Sequence, residues 1–414
     1  MTPRAWTWSA TCLCVMRCCA FSGVFVMRGG PQPMEKAMRL ETTARALKGA
    51  MDLMARVVPK RATVPLLETV RFDGATLRAS NLVDYAEVDL SCVRAEGKAA
   101  VDFRPLAALV RHIADDDTIR LDAGAQGASL SFSGGRYDLP TVEYGEVSLN
   151  AACDRPVNIR PKAFLRGLHF CSPFISTEAT RYYLNGVCID GGKMLATDGH
   201  RLAAYQVGDD GADHGRPIIG RSTVGLLASL SGLSAMLLND GATAAEFSLP
   251  GMRLQSRLID GSFPDWPRVV PPMERTTQKV TVERKAFQRV LTRLQSVISY
   301  GGVRAVSLAF DADRLALCGV GSPNEIVGRE YVDAAVTSGV SGESVVEFNP
   351  RYLRDIVRAF DGDEMLTFHV ADEDSPIRVT GEGARFAVLM PLQPWIKERA
   401  LDALHSWPRE QRAA

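Results

Sequence analysis

The chain reads as an α+β protein in which paired helices back antiparallel sheet, and three observations predict this. Short runs of alternating apolar and polar residues, punctuated by Gly and Pro, mark many strands. Amphipathic segments at helical spacing fall among them in pairs, not one after each strand, which argues against a parallel βαβ plan. The order helix, strands, helix, strands then comes round three times, at a spacing of roughly 115 to 120 residues. At 414 residues, 46% hydrophobic and 23% charged, the chain is too long for one core and is expected to fold as three such units.

Residues 1–37 stand apart from these units. The tract from Trp6 to Val26 is apolar but interrupted by Arg17, and Gly29-Gly30-Pro31-Gln32-Pro33 breaks any element. This predicts a divergent or disordered leader, with translation starting at Met34 or Met38, rather than a cleaved signal sequence. Its cysteines, Cys12, Cys14, Cys18 and Cys19, lack knuckle spacing and a neighbouring histidine, so no metal site is expected. Cys92, Cys153, Cys171, Cys188 and Cys318 are scattered singly, and the nine together form no disulfide framework.

The first unit is expected over 38–153. A strand begins at Met38, and Leu47, Met51, Leu53, Met54 and Val57 give a helix across Thr43–Val58. Strands run to Cys92 with a turn at Asp73-Gly74. A second helix starts near Asp102, carries Phe103, Leu106, Leu109, Val110 and Ile113, and is ended by Asp115-Asp116-Asp117. Strands follow at 119–121, 128–132 and 137–139. The second unit, 154–273, opens with a helix whose first turn holds Pro161. A hairpin spans Arg181–Ala204, turning at Asp190-Gly191-Gly192, where two glycines permit φ > 0. Thr197-Asp198-Gly199 makes a second corner. A helix over Thr223–Leu230 has Ser222 or Thr223 as cap, and strands follow at 247–249 and 254–259. The third unit, 274–392, has helices at 284–298 and 350–360 and strands at 305–310, 315–318, 365–370, 377–379 and 386–390. A C-terminal extension, 393–414, carries Ile396, Ala400, Leu401 and Leu404 at helical spacing from Trp395. About three turns are too few to stand alone in water, so this helix is expected to pack on Leu389, Met390 and Val269.

Formal net charge is zero, from 48 basic and 48 acidic residues. That excludes a generally basic coat but not an uneven distribution. The helices carry Lys48, Arg56, Arg104 and Arg111, then Lys162, Arg166 and Arg221, then Arg284, Lys285, Arg289, Arg293, Arg351, Arg354 and Arg358. Acids on them are few, chiefly Asp52, Asp102 and Asp355. One basic helix is usually only a solvated face. All of them leaning the same way predict a track for phosphates, sensitive to salt and indifferent to sequence. No base-reading motif and no aromatic single-strand platform accompanies them.

The sequence carries no recognised catalytic motif. There is no Gly-rich phosphate loop with its Lys, no H-E-x-x-H and no EF-hand loop. His112, His169, His200, His214, His369 and His405 are far apart, and the acid clusters at Asp209-Asp210, Asp361–Glu364 and Glu373-Asp374 fall on polar turns. No catalysis, cofactor or metal is expected. An enzyme reading would have to use Asp198, His200 and Arg201 at the second corner. After the N-terminus no apolar run is long enough for a confident transmembrane helix, and a cytoplasmic location is expected.

Tyr182-Tyr183-Leu184-Asn185-Gly186, followed by Ala196-Thr197-Asp198-Gly199-His200-Arg201-Leu202, resembles the middle domain of the bacterial DNA polymerase III beta subunit, the sliding clamp family. Leu258-Ile259-Asp260-Gly261-Ser262-Phe263-Pro264-Asp265-Trp266-Pro267-Arg268 fits the same pattern. So do Arg61–Leu67, Gly302-Val303-Arg304, Phe348–Leu353 and Val388–Leu392, in order, over Met38–Leu392. The resemblance implies three DNA-clamp domains per chain in a head-to-tail homodimeric ring that encircles duplex DNA. Its implied partners are the DNA polymerase III catalytic subunit, an ATP-dependent clamp loader and other clamp-binding-motif proteins. The basic helices then line the hole, with Lys48, Arg56, Arg104, Arg111, Lys162, Arg166, Arg284, Lys285, Arg289, Arg293 and Arg354 as DNA contacts, and Arg61 matches a DNA-contacting loop arginine of the family. Where the family has a second such position, this chain has Glu178. A pocket for partner peptides would comprise Leu184, Thr197, Gly199, His200, Arg201, Leu202, Pro264, Arg268, Val269, Val388, Leu389 and Met390, with Pro376 in place of a serine. The interface strands are expected near Leu106–Ser133 and Ala305–Val320. Divergence between Leu82 and Arg104 points to an accessory or mobile-element clamp. The alternatives are a metabolic enzyme built on His200 and Asp198, and a ring-forming scaffold without replication partners.

Overall fold

The computed structural model describes residues 37–124, 127–149, 151–208, 214–298, 305–311, 314–322, 325–338, 343–393 and 397–406. The leader, Asp209-Asp210, Gly302–Arg304 and Trp395-Ile396 lie outside the described residues. The first run of elements is β1 (Met38–Thr43), α1 (Ala44–Met54), β2 (Thr69–Asp73), β3 (Thr76–Ser80), β4 (Asp84–Asp89), β5 (Cys92–Glu96), β6 (Lys98–Asp102), α2 (Phe103–Val110), β7 (Thr118–Gly124), β8 (Gly127–Phe132) and β9 (Gly135–Leu139). Two short strands, β10 (Thr141–Val142) and β11 (Arg155–Pro156), lie on the way to the second run. That run is α3 (Pro161–Cys171), β12 (Gly186–Asp190), β13 (Lys193–Thr197), β14 (Arg201–Gln206), β15 (Ile218–Gly220), α4 (Arg221–Ala228), β16 (Ala235–Leu238), β17 (Ala244–Leu249) and β18 (Met252–Arg257). The third is β19 (Gln278–Glu283), α5 (Arg284–Ile298), β20 (Ala305–Phe310), β21 (Arg314–Ser322), β22 (Glu325–Ser338), β23 (Ser344–Phe348), α6 (Pro350–Ala359), β24 (Met365–Val370), β25 (Ile377–Thr380) and β26 (Arg385–Leu389). A last helix, α7 (Lys397–Ser406), follows.

Local chemistry sets the helix ends. The Thr43 hydroxyl accepts from the Ala46 amide, the Asp102 carboxylate from Arg104, and Asn349, ahead of Pro350, from Arg351. Helix α2 stops at Val110, short of Asp115–Asp117. Those residues instead form a turn whose carbonyls, on Asp117 and Asp115, accept the otherwise orphaned amides of Ala44 and Arg45 at the start of α1. Helix α4 begins at Arg221 behind Gly220, and neither Ser222 nor Thr223 caps it. Thr223 is buried, and its hydroxyl donates to Asp84 at 2.7 Å. Tyr182–Leu184 is a 3₁₀ turn, not strand. The hairpin turn falls on Gly191-Gly192, with φ of 53° and 74°.

The strands form sheets ordered β5-β1-β7-β8-β9, then β10-β6-β2-β3-β4-β18-β17-β16-β11, then β15-β12-β13-β14-β26-β25-β24-β19-β22-β21-β20-β23. The runs are therefore stitched together edge to edge. Strand β4 of the first pairs with β18, which closes the second, and β14 of the second pairs with β26, which closes the third. Strand β22 pairs with β19 through Ala334–Ser338 and with β21 through Glu325–Asp333. Gly328–Asp333 thus has one open side among the described residues, as does β9. The expected interface strands need correcting on this point: β7, β8 and β20 each already have two neighbours.

Helices and sheets enclose a continuous apolar core that includes Phe72, Phe164, Phe247, Phe287, Phe310 and Phe348. Alternation along β20 sends Val306, Leu308 and Phe310 into it and turns Ala305 and Ala309 to the opposite face. There Ala400, Ala403 and Leu404 of α7 cover Ala305, Ala309, Ala316, Cys318 and Val345. The C-terminal helix therefore packs on the back of the third run, not beside Leu389, Met390 and Val269. The alanine-lined face accepts a close helix, and the Tyr331 hydroxyl fastens it by donating to the Ala403 carbonyl.

Candidate nucleic-acid interface and peptide pocket

The six helices of the three runs form one row. Helix α2 packs on α1, α4 on α3, α3 on α6 and α6 on α5. The first pair meets the second where Arg56 donates to the Ser229 carbonyl (3.1 Å) and hydroxyl (2.7 Å) at the end of α4. Their apolar sides face the sheets, so the opposite side of the row is left to polar residues.

The predicted cations divide into two groups. Arg61, Arg104, Arg111, Lys162, Arg166, Lys285 and Arg289 are exposed, and among the described residues no carboxylate pairs with their side chains. Arg351 and Arg358 on α6 are exposed as well, whereas the remaining ones are engaged. Lys48 donates to the Ile113 carbonyl and to Asp115, both at 2.6 Å, and this holds the Asp115 carboxyl below its ordinary range. Arg293 pairs with Glu330, and Arg354 with its neighbour Asp355 at 3.1 Å. Arg221 ties down the carbonyls of Ile175 and Ser176. Arg284 departs furthest from expectation. It is 5% exposed, donates to the Asp363 carbonyl at 2.9 Å, and braces α5 against the turn after α6, so it is removed from the set of surface contacts. Glu178 is exposed and holds Arg181 in a two-pronged pair, with both distances 2.8 Å. The Arg181 hydrogen bonds keep the Glu178 carboxyl below its ordinary range.

The second corner is built by its own side chains. The Asp198 carboxylate accepts from the His200 and Arg201 amides (3.0 and 3.1 Å) and from Arg201 Nε (2.9 Å), while the Thr197 hydroxyl donates to the Arg201 carbonyl at 2.7 Å. Gly199 takes φ of 90° in this turn, a conformation that favours glycine. Arg201 is 6% exposed and fully occupied. It reaches Asp355 on α6 and the Pro173 carbonyl, and stacks on Tyr352 with its guanidinium 4.5 Å from the ring centre. It is the bolt between the second and third runs, not a group free to meet a ligand. The enzyme reading weakens with it, because Asp198 is spent on the turn and His200 stacks on Tyr352.

Around this corner the β14–β26 ladder pairs Leu202 with Val388 and Arg201 with Leu389. Leu184, Leu202 and Val388 join Cys188, Leu195 and Phe263 in a small apolar cluster separate from the main core. Leu389 is one residue out of phase with Val388 and belongs to the main core on the other side of the sheet, so it leaves the predicted pocket. The accessible rim is formed by Gly199, His200, Pro264, Arg268, Val269 and Met390, with Val269 52% and Met390 44% exposed. The Met390 amide donates to the His200 carbonyl at 3.0 Å, which joins the rim's two sides. Arg268 pairs with Asp265 at 2.6 Å. Pro376 precedes β25, half-buried. Sequence reading missed Tyr352, Asp355, Phe263 and Trp266. The first two had a signal, since they stand three and six residues after the Asn349 cap and so share the face of α6 that meets the corner.

No helix of the described residues is long and apolar enough to cross a membrane. No group of three or more His, Cys, Asp or Glu among them is placed to hold a metal ion.

Comparison with known proteins gives a consistent answer. Residues 268–392 match the model of the DNA polymerase III beta subunit, C-terminal domain. The chain is 29% identical over 386 residues to the beta sliding clamp of Caulobacter vibrioides, covering 86% of this chain and all of that one. It is 28% identical over 370 residues to that of Pseudomonas aeruginosa, covering 82% and 94%. Among solved structures, a DnaN sliding clamp (DNA polymerase III subunit beta) from Bartonella birtlesii superposes with a TM-score of 0.74 at 27% identity, over 87% of this chain and 100% of that one. Caulobacter crescentus pol III beta does so at 0.74 and 25%, over 86% and 100%. With its sequence matched along nearly the whole length of these proteins and its fold superposing on theirs, the chain is a divergent member of the beta sliding clamp family.

Proposed function

We propose that this protein is a processivity clamp that encircles duplex DNA and tethers the DNA polymerase III catalytic subunit and other clamp-binding-motif proteins at the rim around His200, Val269 and Met390. The family is non-catalytic, and so is this chain; an ATP-dependent loader would open it. The observation that carries the reading is the continuous row of six helices whose unpaired cations, Lys162, Arg166, Lys285 and Arg289 among them, share one side. Such a row offers phosphates many weak contacts and no base-reading group, which suits sliding. Domains at 38–153, 154–273 and 274–392 and a cytoplasmic homodimer belong to the same reading.

The ring would close as the runs are already joined. Each internal junction pairs the third strand of a run's first meander, β2-β3-β4 or β12-β13-β14, with the last strand of the next run, and the third run has the meander β20-β21-β22. Repeating this rule pairs Gly328–Asp333 of β22 with β9 of a second copy. The peptide rim suits short apolar anchors, with Pro264 and Val269 as walls and Arg268 orienting a polar end.

The test replaces Arg61, Lys162, Lys285 and Arg289 with Glu and measures the half-life of loaded clamp on circular duplex DNA at two salt concentrations. Retention should fall by at least about tenfold, and the salt dependence should flatten. Lys48→Glu would disturb a local pair and is not an equivalent probe. Unchanged retention in the fourfold variant would overturn the clamp reading and favour a ring-forming scaffold.

A further inference from the structure

A cavity of about 530 Å³ lies on the opposite side of the first run's sheet from its helices, next to the β4–β18 junction. Its floor is a cross-strand row: Arg71 on β2 stands opposite Arg78 on β3, Arg78 opposite Glu87 on β4, and Glu87 opposite Arg253 on β18. Tyr85 and Tyr144 wall it, and the segment around Tyr144–Ser148 overhangs it.

The charges here do not cancel evenly. Arg78 is held by Asp73 (2.7 Å) and Glu87 (2.9 Å). Lys98 lies 3.4 Å from Asp73 and 3.3 Å from Glu146, and Arg253 lies 3.6 Å from Glu87 and 3.9 Å from Glu246. Each carboxylate lining the cavity is thus matched by a cation other than Arg71. Arg71 is 2% exposed, and its one terminal amino group donates only to the carbonyls of Gly145 and Val147, at 3.3 Å. Its other terminal nitrogen is buried without any hydrogen-bond partner. Burial pulls the guanidinium below its ordinary pKa, as it does for a charge short of partners. The hydroxyls of Tyr85 and Tyr144 make no hydrogen bond among the described residues. Besides those carbonyls the guanidinium has only the face of Tyr85, 5.6 Å from the ring centre, and a buried cation with an unbonded nitrogen beside two spare hydroxyls is costly unless an acceptor completes it.

We propose that this cavity is a binding site for a small oxyanion, a phosphate or a carboxylate, received by Arg71 with the Tyr85 and Tyr144 hydroxyls as further donors. The volume is within the range of small-molecule pockets, and two aromatic walls leave room for an organic group behind the anion. The site is on the sheet side of the molecule and stands independently of the helix row and its reading. Because Arg71 also holds the backbone at Gly145 and Val147, occupancy would stiffen the link from the first run to the second.

Thermal unfolding and calorimetric titration of the full chain would test this, with inorganic phosphate and acetate as separate probes and chloride at equal ionic strength as control. Wild-type protein should be stabilised by at least one of the two oxyanions beyond chloride, and the stronger arm identifies the anion class. Arg71→Gln should abolish that excess, Tyr85→Phe should weaken binding by about threefold or more, and Arg120→Gln, at an exposed arginine outside the cavity, should leave it within about twofold. Absence of any excess over chloride in the wild type overturns the proposal, a result that needs no variant to fold. Tyr85→Phe and a folded Arg71→Gln that both bind as wild type would overturn it equally.

Discussion

Under the proposed clamp reading the loop at position 178 would face DNA, and the structure gives its acid a partner. The Glu178–Arg181 pair removes two charges from the loop at once. Glu178→Gln should release Arg181, lengthen the half-life of loaded clamp on circular DNA and steepen its salt dependence by about one phosphate contact; a shorter half-life would show that Arg181 cannot turn to the backbone. His369 makes a second residue-level case. It is 7% exposed, bonded to Thr380 through Nε2, and burial with Lys279 and Arg378 nearby lowers its pKa from 6.5 to about 4. The folded protein therefore binds this proton less readily than the unfolded chain, and stability present above pH 6.5 is lost as pH falls toward 4. The loss should be about 1 to 2 kcal/mol after allowance for solvent screening of its cationic neighbours. Urea unfolding of wild type and His369→Gln at pH 7 and pH 4.5 should differ in slope with pH by that amount. Residue roles were the part least legible in the sequence. Arg201, Arg284 and Leu389 each carry the right chemistry for a site. Only the fold shows that two are buried braces and that the third faces the main core.

Secondary structure was far more legible, because period and punctuation are local properties. Helix α5 falls on the expected residues 284–298, and the Gly191-Gly192 turn is where two consecutive positive φ values require it. Strands β16, β22 and β23 went unread: β22 mixes Gly, Glu and Arg with its apolar residues, and its length lets it serve two sheets, which no local window reveals. Helix α7 was legible as a helix but not in its partner, since amphipathicity says that a face must be covered and not by what. Its place on the back of β20, β21 and β23 changes what truncation should do. A chain ending at Leu392 would expose Ala305, Ala309, Ala316 and Cys318 and lose the buried Ala400, Ala403 and Leu404, at a cost of about 2 to 4 kcal/mol. Cys318, now fully buried with its thiol pushed up to about 11, should react with a maleimide at least about tenfold faster. Affinity for a clamp-binding peptide should stay unchanged, because α7 does not cover the rim. Tighter peptide binding after truncation would instead place α7 over the rim and contradict this packing.

For the whole molecule the informative feature is that two junctions inside the chain obey one rule and two strand edges remain to obey it again. A sheet edge with unpaired backbone groups invites association, and natural proteins usually blunt it or use it. Strand β9 presents Tyr137 at 50% exposure, stacked on Phe132 with ring centres 6.1 Å apart, an apolar group that an edge left in water would not favour. On the other edge Glu330 is already neutralised by Arg293, so the strand that would receive β9 carries less charge than its sequence suggests. These features account for Arg293 as part of the closure strand's support more readily than as a DNA contact. Tyr137→Asp should therefore raise the dimer dissociation constant by at least about tenfold, or roughly 1.4 kcal/mol, in sedimentation equilibrium. The unfolding temperature of the monomer should stay within a few degrees, because Tyr137 has little burial to lose. Tyr182→Asp, at an equally exposed tyrosine away from either edge, serves as the control and should leave the dissociation constant unchanged. Loaded-clamp lifetime on circular DNA should fall with Tyr137→Asp and not with Tyr182→Asp, since only an open ring lets the duplex escape. A dimer of wild-type strength in Tyr137→Asp would place ring closure on other strands and break the repeat rule at its third use.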